Sequence, residues 1–474
     1  VGAVTDILVV GNGLGGSLAA LSAAHKEESA RVKLAVTNPT RFDYHPGVIE
    51  VLGYLPAVEG TTDGSPDVSE SPEPNSPEAV PTPLEAIPSL PESHPYRRLG
   101  VETVRGALSC FDEAVPGYRG GHTDENALLV THSGRVKPVA RYPASMAAGL
   151  LSDDRPMRLV GFEQVPDMDP ELASDRLEGT VPFEVAAATV AFPGDVRTYP
   201  AGPTLAAALD ADERPDEENE DAAGLDFTEA IDADLPDDEA PAFESMDAGV
   251  SAESEPTDET PLRRELAERI RGQLDVEPRV GLPAVLGEKA HATVVETLCD
   301  RLQAEVFEVP VGPPSIPGRR LESSLRAALT DAGVTVTSGS VGEVETAAGR
   351  VERLVVDGAW VDPDEVVLAT GGVGEGGLVA DREGVREPVF DCHVDHPTDR
   401  TDWTAADPLA DQPFARLGVA VDDRLRPLDG EGSVQFENLR AVGRLLGGVD
   451  VDAEQSGDGV AIATGFAAGR WSVE

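Results

Sequence analysis

The amino-acid sequence predicts an α/β fold interrupted by two acidic segments. Three observations support this prediction. The chain opens with an apolar strand at residues 6–10, a glycine turn, a helix at 14–25 and a second strand at Val32–Val36. A later apolar strand, at 365–369, again ends in small residues. Finally, two long stretches almost lack basic side chains.

The charge balance limits the possible partners. Of the 474 residues, 37 are Lys or Arg and 87 are Asp or Glu, which gives a formal net charge of −50. A chain this acidic repels polyanions, so we expect no nucleic-acid partner. Only four of the 37 basic residues are lysines. This composition indicates adaptation to high salt, where screening shortens the range of self-repulsion.

The two acidic segments are predicted to be disordered inserts. Residues 57–93 contain eight prolines and eight acids without a Lys or Arg, and residues 210–260 contain 21 acids and one base, Arg214. Such compositions bury too little apolar surface to offset the entropy lost on ordering.

The first turn carries the clearest chemical motif, G-N-G-L-G-G at residues 11–16. Its position between a strand and a helix is that of a dinucleotide-binding loop. Gly11 permits the tight turn, Gly13 lets the backbone approach a phosphate, and Gly16 allows close helix–strand packing. The free N–H groups of the helix start favour an anion. The alternative is a glycine-rich turn that packs two elements without a ligand.

Two later glycine clusters fit a flavin-binding domain that is closed by its own C-terminus. Thr370 and Gly371 follow the apolar strand at 365–369, where bulk would collide with a nucleotide. A third cluster precedes a C-terminal helix, whose dipole could stabilise negative charge on a reduced flavin ring. The predicted cofactor-binding residues are Gly11, Gly13, Gly15, Gly16, Thr37, Asn38, Gly47, Thr370, Gly371, Gly443, Gly447, Gly448, Gly457 and Gly459.

The end of the second strand leaves the identity of the flavin open. A dinucleotide site usually has an Asp or Glu there, which binds a ribose 2′-hydroxyl. This sequence has Thr37-Asn38-Pro39 instead. This strand end therefore admits FMN, which needs only a phosphate site and a ring pocket, as well as FAD.

Further strands, at 158–162 and 305–309, lie near predicted helices and indicate an inserted α/β region. The predicted fold class is thus a Rossmann-like flavin-binding domain of the FAD/FMN-dependent oxidoreductase type, with this insertion and two disordered inserts. The predicted layout places the flavin-binding domain at 1–56 and 318–474, the disordered inserts at 57–93 and 210–260, and the second α/β region at 94–209 and 261–317.

Other chemistries find little support in the sequence. The three cysteines lie far apart, and His393 and His396 have no apparent third ligand, so we predict no metal site. No Ser/His/Asp arrangement or P-loop lysine is present, which argues against a hydrolase or a kinase. No apolar run approaches the roughly 20 residues that cross a bilayer.

Several segments resemble a known family, the B subunits of anaerobic glycerol-3-phosphate dehydrogenases, in a haloarchaeal form. The resemblance covers most of the chain outside the acidic inserts, and its most specific segment is G-G-L-V-A-D-R-E-G-V-R-E-P. The segments that carry it are 11–16, 47–56, 94–96, 313–318, 376–388 and 441–450. One departure is H-P-G-V at 45–48, where family members often have Ser-Ser-Gly-Ser.

The resemblance implies a flavoprotein subunit, usually with FMN, that pairs with a catalytic FAD-bearing A-type subunit, and with an iron–sulfur C-type subunit that anchors the complex to the membrane. Such a complex oxidises sn-glycerol 3-phosphate to dihydroxyacetone phosphate and passes electrons to quinone. The resemblance also implies a cytoplasmic protein, peripheral on the inner face of the membrane through its complex. The alternatives are a stand-alone flavin-dependent reductase or dehydrogenase and a non-catalytic scaffold subunit.

The catalytic residues stay unknown at this stage, because a flavin itself accepts the electrons. Arg386 and His45 are weak candidates. Arg386 could meet an anionic substrate or the flavin, or could form a surface salt bridge. His94 and Tyr96 are expected to anchor the loop that follows the first insert.

Overall fold

The computed structural model describes residues 3–56, 78–194, 202–215, 261–407 and 412–474. The strands are β1 (Ala3–Val10), β2 (Val32–Val36), β3 (Tyr118–Arg119), β4 (Ala127–Val130), β5 (Val136–Val139), β6 (Tyr142–Pro143), β7 (Met157–Phe162), β8 (Val185–Val190), β9 (Arg279–Pro283), β10 (Glu305–Val309), β11 (Thr335–Ser338), β12 (Val341–Ala347), β13 (Arg350–Val356), β14 (Ala359–Leu368), β15 (Val379–Ala380), β16 (Val385–Arg386) and β17 (Leu439–Ala441). The helices are α1 (Leu14–Lys26), α2 (Pro83–Ala86), α3 (Pro95–Leu99), α4 (Val101–Ala114), α5 (Pro170–Leu177), α6 (Gly202–Ala211), α7 (Leu262–Arg271), α8 (His291–Leu302), α9 (Ile316–Asp331), α10 (Val451–Glu454) and α11 (Gly457–Trp471).

The main sheet joins the two ends of the chain. Its strand order is β11-β2-β1-β14-β13-β12, and β17 pairs with the last residues of β14. The strands β11, β2, β1, β14 and β17 run parallel, whereas β12 and β13 form an antiparallel meander with β14. The central strands are continuous apolar runs because helices cover both faces of a parallel sheet. The predicted βαβ unit is confirmed.

Helices α1 and α11 pack against the sheet and against each other at very short range. A Cβ atom placed on Gly465 of α11 would lie 2.1 Å from the backbone oxygen of Gly15 in α1. A Cβ on Gly469 would lie equally close to the oxygen of Ala19. Only glycine permits this backbone-to-backbone contact, and it brings the start of α11 beside the first turn of the chain.

A second, smaller sheet forms the inserted α/β region. Its order is β10-β9-β7-β8, and all of its strands are parallel. It has its own apolar cores, built with α5, α6, α7 and α8. The fully buried carboxylate of Glu308 in β10 binds Arg320 of α9 at 2.7 Å and Ser145 at 2.7 Å, which ties this region to the flavin-binding part.

Two predicted boundaries change. The predicted disorder is wrong for residues 78–93, which form α2 and a 3-10 turn whose Leu84, Ile87 and Leu90 are buried in the main core. Regularly spaced apolar side chains, which the proline count obscured, account for this order. Residues 57–77 and 216–260 of the predicted inserts lie outside the described residues. The second predicted insert is also shorter, because residues 210–215 are described and include the end of α6.

Substituting Gly465→Ala tests the α1–α11 contact. The added methyl collides with backbone that cannot rotate away, so we expect a loss of about 3 kcal/mol in the free energy of unfolding, measured with denaturant in molar KCl. Gly106→Ala in α4 is the matched control, because a Cβ there makes only ordinary contacts with the Phe466 ring. It should stabilise the protein by about 0.5–1 kcal/mol. Equal effects of the two substitutions would contradict the close approach.

Candidate functional site

The first glycine turn packs tightly on one side and is open on the other. Gly11 has a φ of +112°, and a Cβ there would lie 2.2 Å from the backbone oxygen of Ala369. A Cβ on Gly16 would lie 1.9 Å from the oxygen of Gly11. A Cβ on Gly13 would meet only the Nε of Arg41, at 3.7 Å. The backbone at Gly13 is therefore accessible to a ligand.

Helix α1 begins at this turn with an uncapped N-terminus. Its N-cap residue is Gly13, and no described side chain caps the first turn. The first N–H groups of a helix lack partners within the helix, and together with the helix dipole they favour an anion. The geometry is therefore that of a phosphate site.

The end of β2 is fixed by two asparagines. The Asn12 side chain donates from Nδ2 to the backbone oxygen of Asn38 at 2.8 Å and accepts the N–H of Asn38 on Oδ1 at 3.2 Å. Thr37 and Asn38 therefore lie beside the first turn, and neither of them supplies a carboxylate there.

The turn after β14 contains a buried polar atom without a partner. The Oγ1 of Thr370 is buried and has no hydrogen-bond partner in the described part of the chain. The next turn is stabilised by Glu375, which accepts the N–H of Gly372 at 2.9 Å and forms an ion pair with Arg41 at 3.1 Å. An orphaned hydroxyl at this point indicates that a ligand supplies its partner.

These turns meet at one cleft, which we call the glycine cleft. Helix α11 closes it, because Gly457 and Asp458 of its first turn lie beside Gly443 and Arg444. The lining residues are Gly11, Asn12, Gly13, Leu14, Gly15, Thr37, Asn38, Arg41, Phe42, His45, Ala369, Thr370, Gly371, Glu375, Val442, Gly443, Arg444, Gly457, Asp458 and Ala461.

Two histidine–proline pairs hold the start of α11. The Nδ1 of His45 accepts the N–H of Gly47 at 3.0 Å, so its proton lies on Nε2, which donates to Asp458 Oδ1 at 3.2 Å. The Nδ1 of His94 likewise accepts the N–H of Tyr96, and its Nε2 donates to Glu454 at 3.0 Å. Both nitrogens of each ring are therefore engaged in hydrogen bonds. The geometry assigns His45 a positioning role and leaves it no free nitrogen for proton transfer.

The carboxylates at this helix start differ in their electrostatics. Burial raises the pKa of Asp458, but His45, Arg444 and the N–H of Glu50 together outweigh burial and hold that pKa below its usual value. Burial and the nearby Asp458 raise the pKa of Glu50, against the lowering effect of Lys137. The surroundings thus stabilise the anionic form of Asp458, whereas they favour the neutral acid form of Glu50.

The structure places some predicted site residues outside the glycine cleft. Arg386 lies on the exposed β15–β16 hairpin, 4.0 Å from Asp381, which matches the surface salt bridge that the sequence left as the alternative for this residue. Gly447 and Gly448 line a different groove, since Gly447 packs against the backbone of Gly418. The other predicted glycines absent from the lining, Gly16, Gly47 and Gly459, serve close packing against Gly11, Pro317 and Tyr96.

Several lining residues were missed by sequence reasoning. No sequence motif specifies the residue types at these positions, although each lies within a few residues of a predicted site residue. They are Asn12, Arg41, Glu375, Arg444 and Asp458. Among the described residues no group of three potential ligands is placed to hold a metal ion. No helix in the described ranges has the length and apolar character that a membrane span needs.

Comparison with known proteins places the chain in a family. A family model described as an FAD binding domain matches residues 6–460. The probable B subunit of the anaerobic glycerol-3-phosphate dehydrogenase of Halobacterium salinarum is 42% identical over 99% of this chain and 98% of the relative. The chain belongs to the family of anaerobic glycerol-3-phosphate dehydrogenase B subunits. A more distant member, from Yersinia enterocolitica, is 26% identical over 97% of this chain and 96% of its own length.

Membership confirms the predicted family and the predicted oxidoreductase class. The chain is a flavoprotein subunit, and the name of its relatives indicates a complex with other subunits. The acidic, lysine-poor composition fits a Halobacterium relative. Among solved structures, a 3-ketosteroid delta1-dehydrogenase from Sterolibacterium denitrificans has 12% identity and a TM-score of 0.37, covering 99% of both chains, which is too distant to transfer residue roles.

Replacing His45 with alanine tests the positioning role. The variant removes the side-chain donor of the buried Asp458 carboxylate and leaves it the N–H of Glu50. We therefore expect the free energy of unfolding to fall by about 1.5–3 kcal/mol at neutral pH. A carboxyl whose folded pKa is lowered adds stability above its unfolded pKa, and this stability disappears as the pH falls through the folded pKa. In the variant the folded pKa of Asp458 lies closer to its unfolded value, so the stability lost on acidification should be smaller and the loss should be complete at a higher pH.

Denaturant titrations at a series of pH values measure both effects. His25→Ala is the control, because His25 is exposed at the end of α1, and it should change stability by no more than about 0.5 kcal/mol. An unchanged acid limb in the His45 variant would contradict the assigned contact.

Proposed function

We propose that this chain binds FMN in the glycine cleft and serves as the electron-relaying subunit of a glycerol-3-phosphate dehydrogenase complex. The observation that carries this proposal is the meeting of three sequence-distant glycine turns at one cleft with two helix N-termini. In the complex, sn-glycerol 3-phosphate becomes dihydroxyacetone phosphate and the electrons pass to quinone.

The residues present fit a flavin. Gly13 leaves its backbone open to a phosphate at the start of α1, and the orphaned Thr370 hydroxyl offers a hydrogen bond inside the cleft. The start of α11, with Gly457, would lie near the ring, where the positive end of a helix dipole stabilises negative charge. A bound flavin supplies the two-electron acceptor, and the chain's own residues bind and orient it.

The end of β2 favours FMN over FAD. An adenosine ribose is usually held by a carboxylate at this point. Here the Asn12 side chain bonds the backbone of Asn38, the Asn38 side chain accepts from Thr40, and neither Thr37 nor Asn38 supplies a negative charge. The phosphate site near Gly13 does not depend on that ribose contact. A mononucleotide has no adenosine ribose, so the phosphate site is sufficient for it.

Further subunits are needed for electron transfer. The sequence has three cysteines, fewer than the four thiolates that hold an iron–sulfur cluster, and all three are free. We therefore propose that electrons enter or leave through two partners, an FAD-bearing A-type subunit and an iron–sulfur C-type subunit. The second of these would anchor the complex at the inner face of the membrane. The chain itself would be cytoplasmic.

Flavin extraction after Gly13→Asp tests the cofactor site. The new carboxylate repels the phosphate and fills its space, so the purified variant should lose its visible flavin absorbance. Denatured wild-type protein should release FMN on chromatography. Gly117→Asp is the matched control, because a side chain at this exposed position meets nothing within 4 Å, and it should retain flavin. Flavin retention in the Gly13 variant would refute the proposed phosphate site.

Co-purification tests the proposed complex. When this chain is tagged and co-expressed with candidate FAD-bearing and iron–sulfur subunits in molar KCl, all three should elute together and reduce a quinone analogue with glycerol 3-phosphate. Full turnover by the isolated chain would favour a stand-alone dehydrogenase. Unchanged assembly and turnover in the Gly13→Asp complex would favour a scaffold.

A further inference from the structure

A second cavity adjoins the glycine cleft, and we call it the polar chamber. The two share Arg41, His45, Glu375, Arg444 and Asp458 in their walls. Beyond these, the chamber is lined by Glu50, Lys137 and Gln455, among others. A molecule or charge in the cleft is thus within electrostatic reach of the chamber's side chains.

The position of Glu50 is fixed by the start of α11. Its backbone N–H donates to Asp458 Oδ2 at 3.2 Å, and its backbone oxygen accepts the N–H of Gly459 at 2.7 Å. Its carboxylate forms an ion pair with Lys137 of β5, and only 12% of the side chain is exposed. Glu50 is therefore a nearly buried carboxyl group that lies beside the helix end facing the cleft.

The chamber also contains an unsatisfied acceptor. The Oε1 of Gln455 is buried and lacks a hydrogen-bond partner in the described residues. A buried acceptor of this kind needs a donor, which a ligand, a water molecule or a protonated carboxyl can supply.

The charges that face Glu50 make it responsive to its surroundings. Burial and Asp458 raise its pKa, while Lys137 lowers it. A carboxyl group under opposed effects changes its protonation when one nearby charge changes. The titratable groups facing it from the neighbouring elements are Lys137, Asp458, His45, Tyr54 and Tyr96.

We propose that Glu50 takes up a proton from water when the flavin in the adjoining cleft is reduced, with Lys137 setting the pH at which it does so. This inference rests on the proposed function. It assigns a redox-linked proton acceptor to the chamber, whichever member of the complex oxidises the substrate.

The charge balance of the step is simple. Two-electron reduction with one proton leaves a negative charge on the flavin, and the electrons come from oxidation of glycerol 3-phosphate. The carboxylate of Glu50 then gains one proton from water and becomes a neutral acid, so the net charge around the start of α11 is unchanged. Re-oxidation releases that proton to water.

The test is the reduction potential of the flavin-loaded chain, measured against pH in molar KCl. Between the Glu50 pKa values of the oxidised and reduced forms, reduction takes up one extra proton. In this pH range the slope of the reduction potential should be steeper by about 30 mV per pH unit than outside it. This is the change that one additional proton causes when it is taken up with two electrons. Glu50→Gln should lose this extra slope. Glu345→Gln, which removes the same charge from an exposed pair with Arg353, should keep it.

A second variant and a second readout check the assignment. Lys137→Met removes a charge that lowers the pKa of Glu50, so the steep region should move to higher pH. Infrared difference spectra of flavin reduction should show the carbonyl stretch of a newly protonated acid, absent in Glu50→Gln. If wild type and Glu50→Gln give the same potential–pH curve, the inference fails while the flavin site stands. If wild-type chain binds no flavin, the proposed function itself fails.

Discussion

The backbone contact between α1 and α11 is the constraint on which the candidate site depends. The two helices come from opposite ends of the chain, and Gly465 and Gly469 let their backbones approach to a distance that any side chain would prevent. The parallel pairing of β1, β14 and β17 already places the turns at Gly11, Thr370 and Gly443 side by side. The helix contact adds the start of α11 to these turns, and this helix start is the wall opposite the phosphate site.

A second constraint keeps the start of α11 in place. His45 and His94 each use one ring nitrogen on a backbone N–H two residues ahead and the other on a carboxylate flanking Gly457. The His45 ring links the segment after β2 to α11, and the His94 ring links the start of α3 to the end of α10. The predicted anchoring role of His94 is confirmed, and the same geometry explains why His45 lacks a nitrogen for proton transfer.

The sequence predicted the parts of the site that repeat a known local geometry. Gly11, Gly13 and Gly16 follow a spacing that one strand–turn–helix geometry requires, and their packing matches it. Arg41, Glu50 and Lys137 follow no such rule, because their roles arise from tertiary contacts between separate segments. Gly447 and Gly448 show the opposite case, since this glycine pair is close to the site in sequence but lines a different groove, where Gly447 packs against the backbone of Gly418.

High salt changes which of these charges matter. At about 1 M salt the screening length is near 3 Å, so the excess acidic charge on exposed surfaces acts over little distance. Buried pairs are screened much less, because ions and water do not enter between their members. The contacts of Asp458 with His45 and of Glu50 with Lys137 are largely enclosed, with side chains no more than about a quarter exposed. The electrostatics of the site are therefore set by these few short contacts, and the net charge of −50 has little part in them.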